Sequence, residues 1–184
     1  MPEYSKSNIN IEITRDRLLN MARATTRKKE QFLVCVLWMT GARPSELIQL
    51  KKEDVIISET KIVFNIVTKK KRKGRWHPEY RKLEFARPLP PNQDNIIEFV
   101  VKYIERQPEG RLFLMTVRTM EYIIERLGRK GLHKYVCPYN FRHTRMTMLS
   151  REGRTIDEML HFKGASDMRS VTPYLHAKPF KVKL

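Results

Sequence analysis

The run Gln31-Phe32-Leu33-Val34-Cys35-Val36-Leu37-Trp38-Met39-Thr40 constrains this chain more than any other feature. It is too short to cross a membrane and apolar nearly all round. A helix of that kind has no face to offer water, so it must be central, with the other elements packed about it. Gly41 stops it, since glycine takes the left-handed conformation that ends a helix at no steric cost. The spacing predicts this helix over 27–40.

Its surroundings are legible by the same rules. Thr14 caps a helix running to about Arg23, with Ile13, Leu18, Leu19 and Met21 as its apolar positions. Pro44 and Ser45 start a short helix over 44–51. Val55-Ile56-Ile57 and Ile62 to Val67 are β-branched runs, and Arg81 to Phe85 completes a small antiparallel sheet within 54–86. Three prolines make 87–93 a linker. Helices are expected at 93–106, 117–129, 139–151 and 155–162, with a last one near 167–176. The fold class is mainly α with a small antiparallel β-sheet (α+β). Residues 1–10 read as a flexible lead-in, 11–176 as one domain and 177–184 as a basic C-terminal tail.

Charge narrows the function. Lys and Arg number 37 against 20 Asp and Glu, a formal charge of +17 on 184 residues. Such a surplus selects a polyanionic partner, usually nucleic acid, although a generic basic protein shares it. Cys35 and Cys137 stand far apart in apolar surroundings and read as buried free thiols. The polar start MPEYSKSNIN is no signal peptide, and no run is long enough to span a membrane, so a cytoplasmic protein is expected.

Three segments carry chemistry. In TGARPSELIQLKKED (40–54), Arg43 follows the helix stop and Glu46 lies on the short helix behind it. In YNFRHTRMTMLSREG (139–153), Arg142 and His143 are adjacent. In KGASDMRSVTPYLH (163–176), Tyr174 follows Pro173. Taken singly, Arg43 is the kind of residue that forms a surface ion pair, Arg142 and His143 suit a solvated helix face, and Tyr174 suits half-buried packing. Their joint order is what carries the argument.

That order resembles the catalytic domain of the tyrosine recombinase, or phage-type integrase, family. The first segment follows the pattern T-G-x-R-x-S-E-L-x-x-L-x-x-x-D, matched by Thr40, Gly41, Arg43, Ser45, Glu46, Leu47, Leu50 and Asp54. The second resembles H-x-L-R-H-x-x-x-T-x-x-x-x-x-G through Arg142, His143 and Gly153, with Phe141 a conservative change. The third resembles the family's L-G-H segment followed by Y-x-H, through Gly164, Tyr174 and His176. Arg142 and Tyr174 stand 32 positions apart (174 − 142), a spacing typical of the family. Two histidine positions depart from it: the leading histidine of the second pattern is Tyr139, and the His or Trp of the third is Ala165.

The resemblance implies a site-specific DNA recombinase that cleaves and rejoins strands through a covalent 3′-phosphotyrosine. Tyr174 would attack the scissile phosphorus while Arg43 and Arg142 clamp the non-bridging oxygens, a task suited to planar, permanently charged guanidiniums. Tyr139 would contact the phosphate by a hydrogen bond. Glu46 would brace the fold. A hairpin lysine would protonate the leaving 5′-oxygen; Lys69 matches best, with Lys70, Lys71 and Lys73 as competitors. The basic run Lys70, Lys71, Arg72, Lys73 and Arg75 is expected to contact DNA phosphates. No cofactor and no metal is implied. The partner is double-stranded DNA, with self-association on it as a dimer or tetramer. Pro173 leads us to expect Tyr174 at the start or kink of its helix, swung away when DNA is absent. Tyr139 and Ala165 keep open a second function, a catalytically weak or inactive DNA-binding relative. The chain lacks the separate N-terminal helical domain usual in the family, so it reads either as a fragment of a longer integrase or as a short form.

Overall fold

The computed structural model describes residues 11–68, 80–88 and 95–175. Seven α-helices and one sheet occupy them: α1 (Arg15–Arg23), α2 (Lys28–Thr40), α3 (Pro44–Leu47), β1 (Val55–Ile57), β2 (Lys61–Val67), β3 (Tyr80–Ala86), α4 (Ile96–Glu105), α5 (Val117–Leu132), α6 (Pro138–Arg151) and α7 (Ile156–Lys163). The strands run antiparallel in the order β1-β2-β3. The mainly helical class with a small sheet is thus as expected.

Helix α2 is the axis. From Phe32 to Leu37 every residue is buried, and Phe32 stacks on Tyr103 at 4.2 Å and on Phe113 at 5.2 Å between ring centroids. Helices α1, α4 and α6 pack around it. Gly41 closes it at φ +54°, its N–H donating to Leu37 O at 2.8 Å. Thr14 caps α1 through the Arg17 N–H. In the sheet, Ile62, Phe64 and Ile66 of β2 and Arg81 and Leu83 of β3 turn inward. The register pairs Phe64 with both Val55 and Leu83, and its last pair is Val67 with Tyr80.

Two elements and one cysteine differ from expectation. Helix α3 ends at Leu47 rather than 51, because the backbone beyond it is taken by the segment before α5: Leu112 N–H donates to Leu50 O at 3.0 Å and Lys52 N–H to Gly110 O at 2.9 Å. The last helix near 167–176 is instead two 3-10 turns, Met168–Ser170 and Thr172–Tyr174. Pro173 supplies no N–H, and Asp167 draws the Arg169 N–H to its side chain, so a continuous helix has neither donors nor length. Cys35 is buried, but Cys137 is only half-buried at the start of α6, its thiol donating to Asn140 Oδ1 at 3.3 Å. Most of the proline linker and the lead-in lie outside the described residues.

Candidate active site

The end of α2, the start of α6, the end of α7 and the final 3-10 turn meet at one place. Glu46 is its anchor. One carboxylate oxygen accepts from Arg43 Nη1 at 2.7 Å; the other accepts from the Arg43 backbone N–H and from Arg81 Nη2, both at 2.9 Å. Burial alone would raise the Glu46 carboxyl, but Arg81 and Arg43 more than offset that and hold it below the usual carboxylate range. Glu46 therefore braces the arginines. Arg43 keeps 30% of its side chain exposed.

Arg142 is far more enclosed, at 7% exposure. Its Nη1 donates to Gly41 O at 2.9 Å and its Nη2 to Lys163 O. Both acceptors are carbonyls at helix ends, where the backbone leaves oxygens without a helical partner. Burial, then the charge of Arg43, lowers the proton affinity of Arg142, with Glu46 opposing; the group stays charged at neutral pH. The fit is close: a Cβ on Gly41 would lie 3.4 Å from Arg142 Cα, and one on Gly164, itself at φ +60°, would lie 2.7 Å from Arg81 Nη1.

Tyr174 lies against this group at 3% exposure, packed with Met146, Leu149, Met159 and Val171. It is neither at the start of an α-helix nor swung into solvent. Ser150 Oγ donates to its carbonyl, and the 3-10 turn places its ring 5.2 Å from His143 and 4.9 Å from Lys163 Nζ. Burial first, then a hydrogen bond with Tyr139, raises the phenol above its ordinary value, while Arg142 opposes the shift. Tyr139 is half exposed on the first turn of α6, its ring 6.1 Å from that of His143.

Of the expected site residues, Arg43, Tyr139, Arg142 and Tyr174 come together. Lys69, Lys70, Lys71, Arg72, Lys73 and Arg75 lie outside the described residues, as does His176; the Val67–Tyr80 pair shows only where that basic segment leaves and re-enters the sheet. Ala165 follows the end of α7. One residue escaped the sequence reading. Arg81 is 1% exposed, and its Nε and Nη1 have no hydrogen-bond partner. The inward phase of an alternating strand was its one visible signal. Lys163 precedes Gly164 and touches Tyr174. Among the described residues no group of three or more His, Cys, Asp or Glu is placed to hold a metal ion, and no helix is long and apolar enough to cross a membrane.

The site therefore gathers Arg43 and Arg81 around one carboxylate, with Arg142 and Lys163 beside a buried phenol. That excess of fixed positive charge suits an anion with several oxygens, and a tyrosine nucleophile acting on it. Comparison with known proteins agrees with the class. The profile of the phage integrase family matches residues 13–180, and the chain belongs to that family. Tyrosine recombinase XerA of Thermococcus kodakarensis is 29% identical over 81% of this chain and 51% of its own length. A tyrosine recombinase of Pseudothermotoga lettingae is 26% identical over 81% of this chain and 50% of its own. The chain thus spans about half the length of these curated relatives. Among solved structures, XerA recombinase matches with a TM-score of 0.68 at 23% identity, over 92% of this chain and 61% of that one. XerH recombinase bound to its difH substrate matches at 0.65 and 17%, over 90% and 50%. The catalytic domain of bacteriophage HP1 integrase matches at 0.56 and 19%, over 91% of this chain and 88% of that domain.

Proposed function

We propose that this chain is the catalytic domain of a site-specific DNA recombinase that acts on double-stranded DNA, forming a covalent 3′-phosphotyrosine on Tyr174. The observation that carries the reading is the convergence of Arg43 and Arg142 from distant segments onto the buried Tyr174, in a cluster with more guanidinium than carboxylate. Family membership and the DNA-bound relatives support the substrate class.

In this reading the scissile phosphate enters beside Glu46 and Arg81, and its non-bridging oxygens are held by the guanidiniums of Arg43 and Arg142. The phenol oxygen of Tyr174 attacks phosphorus, the bond to the 5′-oxygen breaks, and Lys69 donates the proton that oxygen needs. Lys70, Lys71, Arg72, Lys73 and Arg75 contact neighbouring phosphates. Tyr139 hydrogen-bonds the phosphate once the phenol has let go of it. Exchange of four strand ends requires two or four copies assembled on DNA. No cofactor takes part.

A second reading, a DNA-binding relative without cleavage, draws on Tyr139 and Ala165, which cannot carry the charge of the histidines they replace. Nicked DNA separates the two, because the short fragment released on cleavage diffuses away and traps the protein on the strand. Wild type is expected to form an SDS-resistant complex and Tyr174→Phe none. Tight binding by wild type with no trapped complex on any nicked site favours the second reading.

A further inference from the structure

Lys163 is the last residue of α7, and the fold puts it to three uses. Its carbonyl accepts from Arg142 Nη2. Its ammonium nitrogen donates to the carbonyl of Ser170, at the turn just before Tyr174. The same nitrogen lies over the Tyr174 ring, 4.9 Å from the centroid. One side chain thus bridges an anion-binding arginine and the candidate nucleophile. Among the described residues it has no carboxylate partner: the two oxygens of Glu46 are taken by Arg43 and Arg81.

The groups around the phenol leave few alternatives. From α6 come Tyr139, Arg142 and His143; from the start of α3, Arg43; from β3, Arg81, packed against Gly164 beside Lys163. The arginines cannot take a proton, and Tyr139 is itself a phenol. His143 and Lys163 remain. Burial, then the charges of Arg142 and Arg43, brings the Lys163 amine down to about 8, so a useful fraction is neutral near physiological pH.

We propose that Lys163 is a catalytic residue that accepts the Tyr174 phenolic proton during strand cleavage and returns it during rejoining. The inference rests on reading Tyr174 as the nucleophile. In cleavage the bond between Tyr174 Oη and phosphorus forms and the bond from phosphorus to the 5′-oxygen breaks. The phenolic proton passes to the neutral amine of Lys163, and the 5′-oxygen takes its proton from the hairpin lysine. Rejoining reverses each transfer. The amine begins over the ring face rather than on the hydroxyl, and the outer torsions of a lysine are free to carry it across. A cation formed there also faces the new phosphodiester at the moment Arg142 must hold it.

The test is the pH profile of single-turnover cleavage on nicked DNA, with the amine titrated separately by NMR in the DNA-free protein. Wild type is expected to speed up with pH through a midpoint near 8, and the NMR titration of Lys163 to share it. Lys163→Met is expected to lose that limb and slow by about 10²-fold or more, the usual contribution of a proton acceptor. Lys163→Arg keeps a cation over the ring but cannot take the proton, and is expected not to rescue the rate. Restoration by Lys163→Arg would overturn the proposal in favour of charge or position alone. A wild-type rate and profile in Lys163→Met, or loss of the limb in His143→Gln but not Lys163→Met, would also overturn it. Circular dichroism and thermal melting check folding; should the variants fail to fold, an NMR midpoint in the ordinary lysine range near ~10.4 overturns the proposal without them. If wild type forms no covalent complex, the reading of Tyr174 falls and this proposal with it. A complex that ignores Lys163 overturns the proposal alone.

Discussion

Glu46 and Arg81 are each 1% exposed at the side chain, and they face each other at 2.9 Å. Removing one charge from such a pair strands the other in a low-dielectric interior. Glu46→Gln is therefore expected to cost about 3–5 kcal/mol of stability in a denaturant melt. Arg81→Met should cost less, because Glu46 keeps Arg43. The pH dependence has a definite sign. The Glu46 carboxyl sits below its unfolded value of about 4.3, so its contribution is complete above that pH and lost as pH falls through the folded value. The stability of Glu46→Gln should accordingly fall less steeply than wild type below about pH 4.3. At the same scale, Arg43→Ala or Arg142→Ala is expected to slow cleavage by at least about 10²-fold while DNA binding falls much less, measured side by side on one oligonucleotide. Equal losses would make them ordinary phosphate contacts.

Elements differ in how far the sequence discloses them. Helix α2 was legible because ten successive residues leave it no polar face, and Gly41 ends it where the sequence said. The arginines and Tyr174 were legible because the family patterns fix their order. Arg81 was not, since nothing local distinguishes a strand arginine that turns inward from one that faces water. Nor was the early end of α3, whose cause is a backbone pairing with residues 110–112. The final 3-10 turns were misread as helix because Pro173 was given the role of a helix start. Gly164 shows the same gap: its φ of +60° was foreseeable in a helix stop, while its closeness to Arg81 was not. Gly164→Ala is expected to destabilise by about 1–2 kcal/mol from the left-handed backbone alone, and by more because its Cβ meets Arg81. Gly110→Ala, at φ +102° with open space around it, isolates the backbone share in a parallel melt.

At the scale of the molecule, the proposed function takes its partner from the charge of +17 and its chemistry from the site. With roughly 6–10 phosphates neutralised, affinity for duplex DNA is expected to drop by about 10³–10⁵ between roughly 50 and 200 mM salt, read by fluorescence anisotropy. A nearly flat response would remove nucleic acid as the partner. The central claim, that Tyr174 is joined to DNA, is tested most directly by mass spectrometry. Duplexes selected from a random pool for binding are nicked at each position, incubated with wild-type protein, digested with nuclease and protease, and the adducted peptide is sequenced. The expected result is a nucleotide phosphate on Tyr174. An adduct on Tyr139 or any other residue, or none from a duplex that is bound tightly, would contradict it.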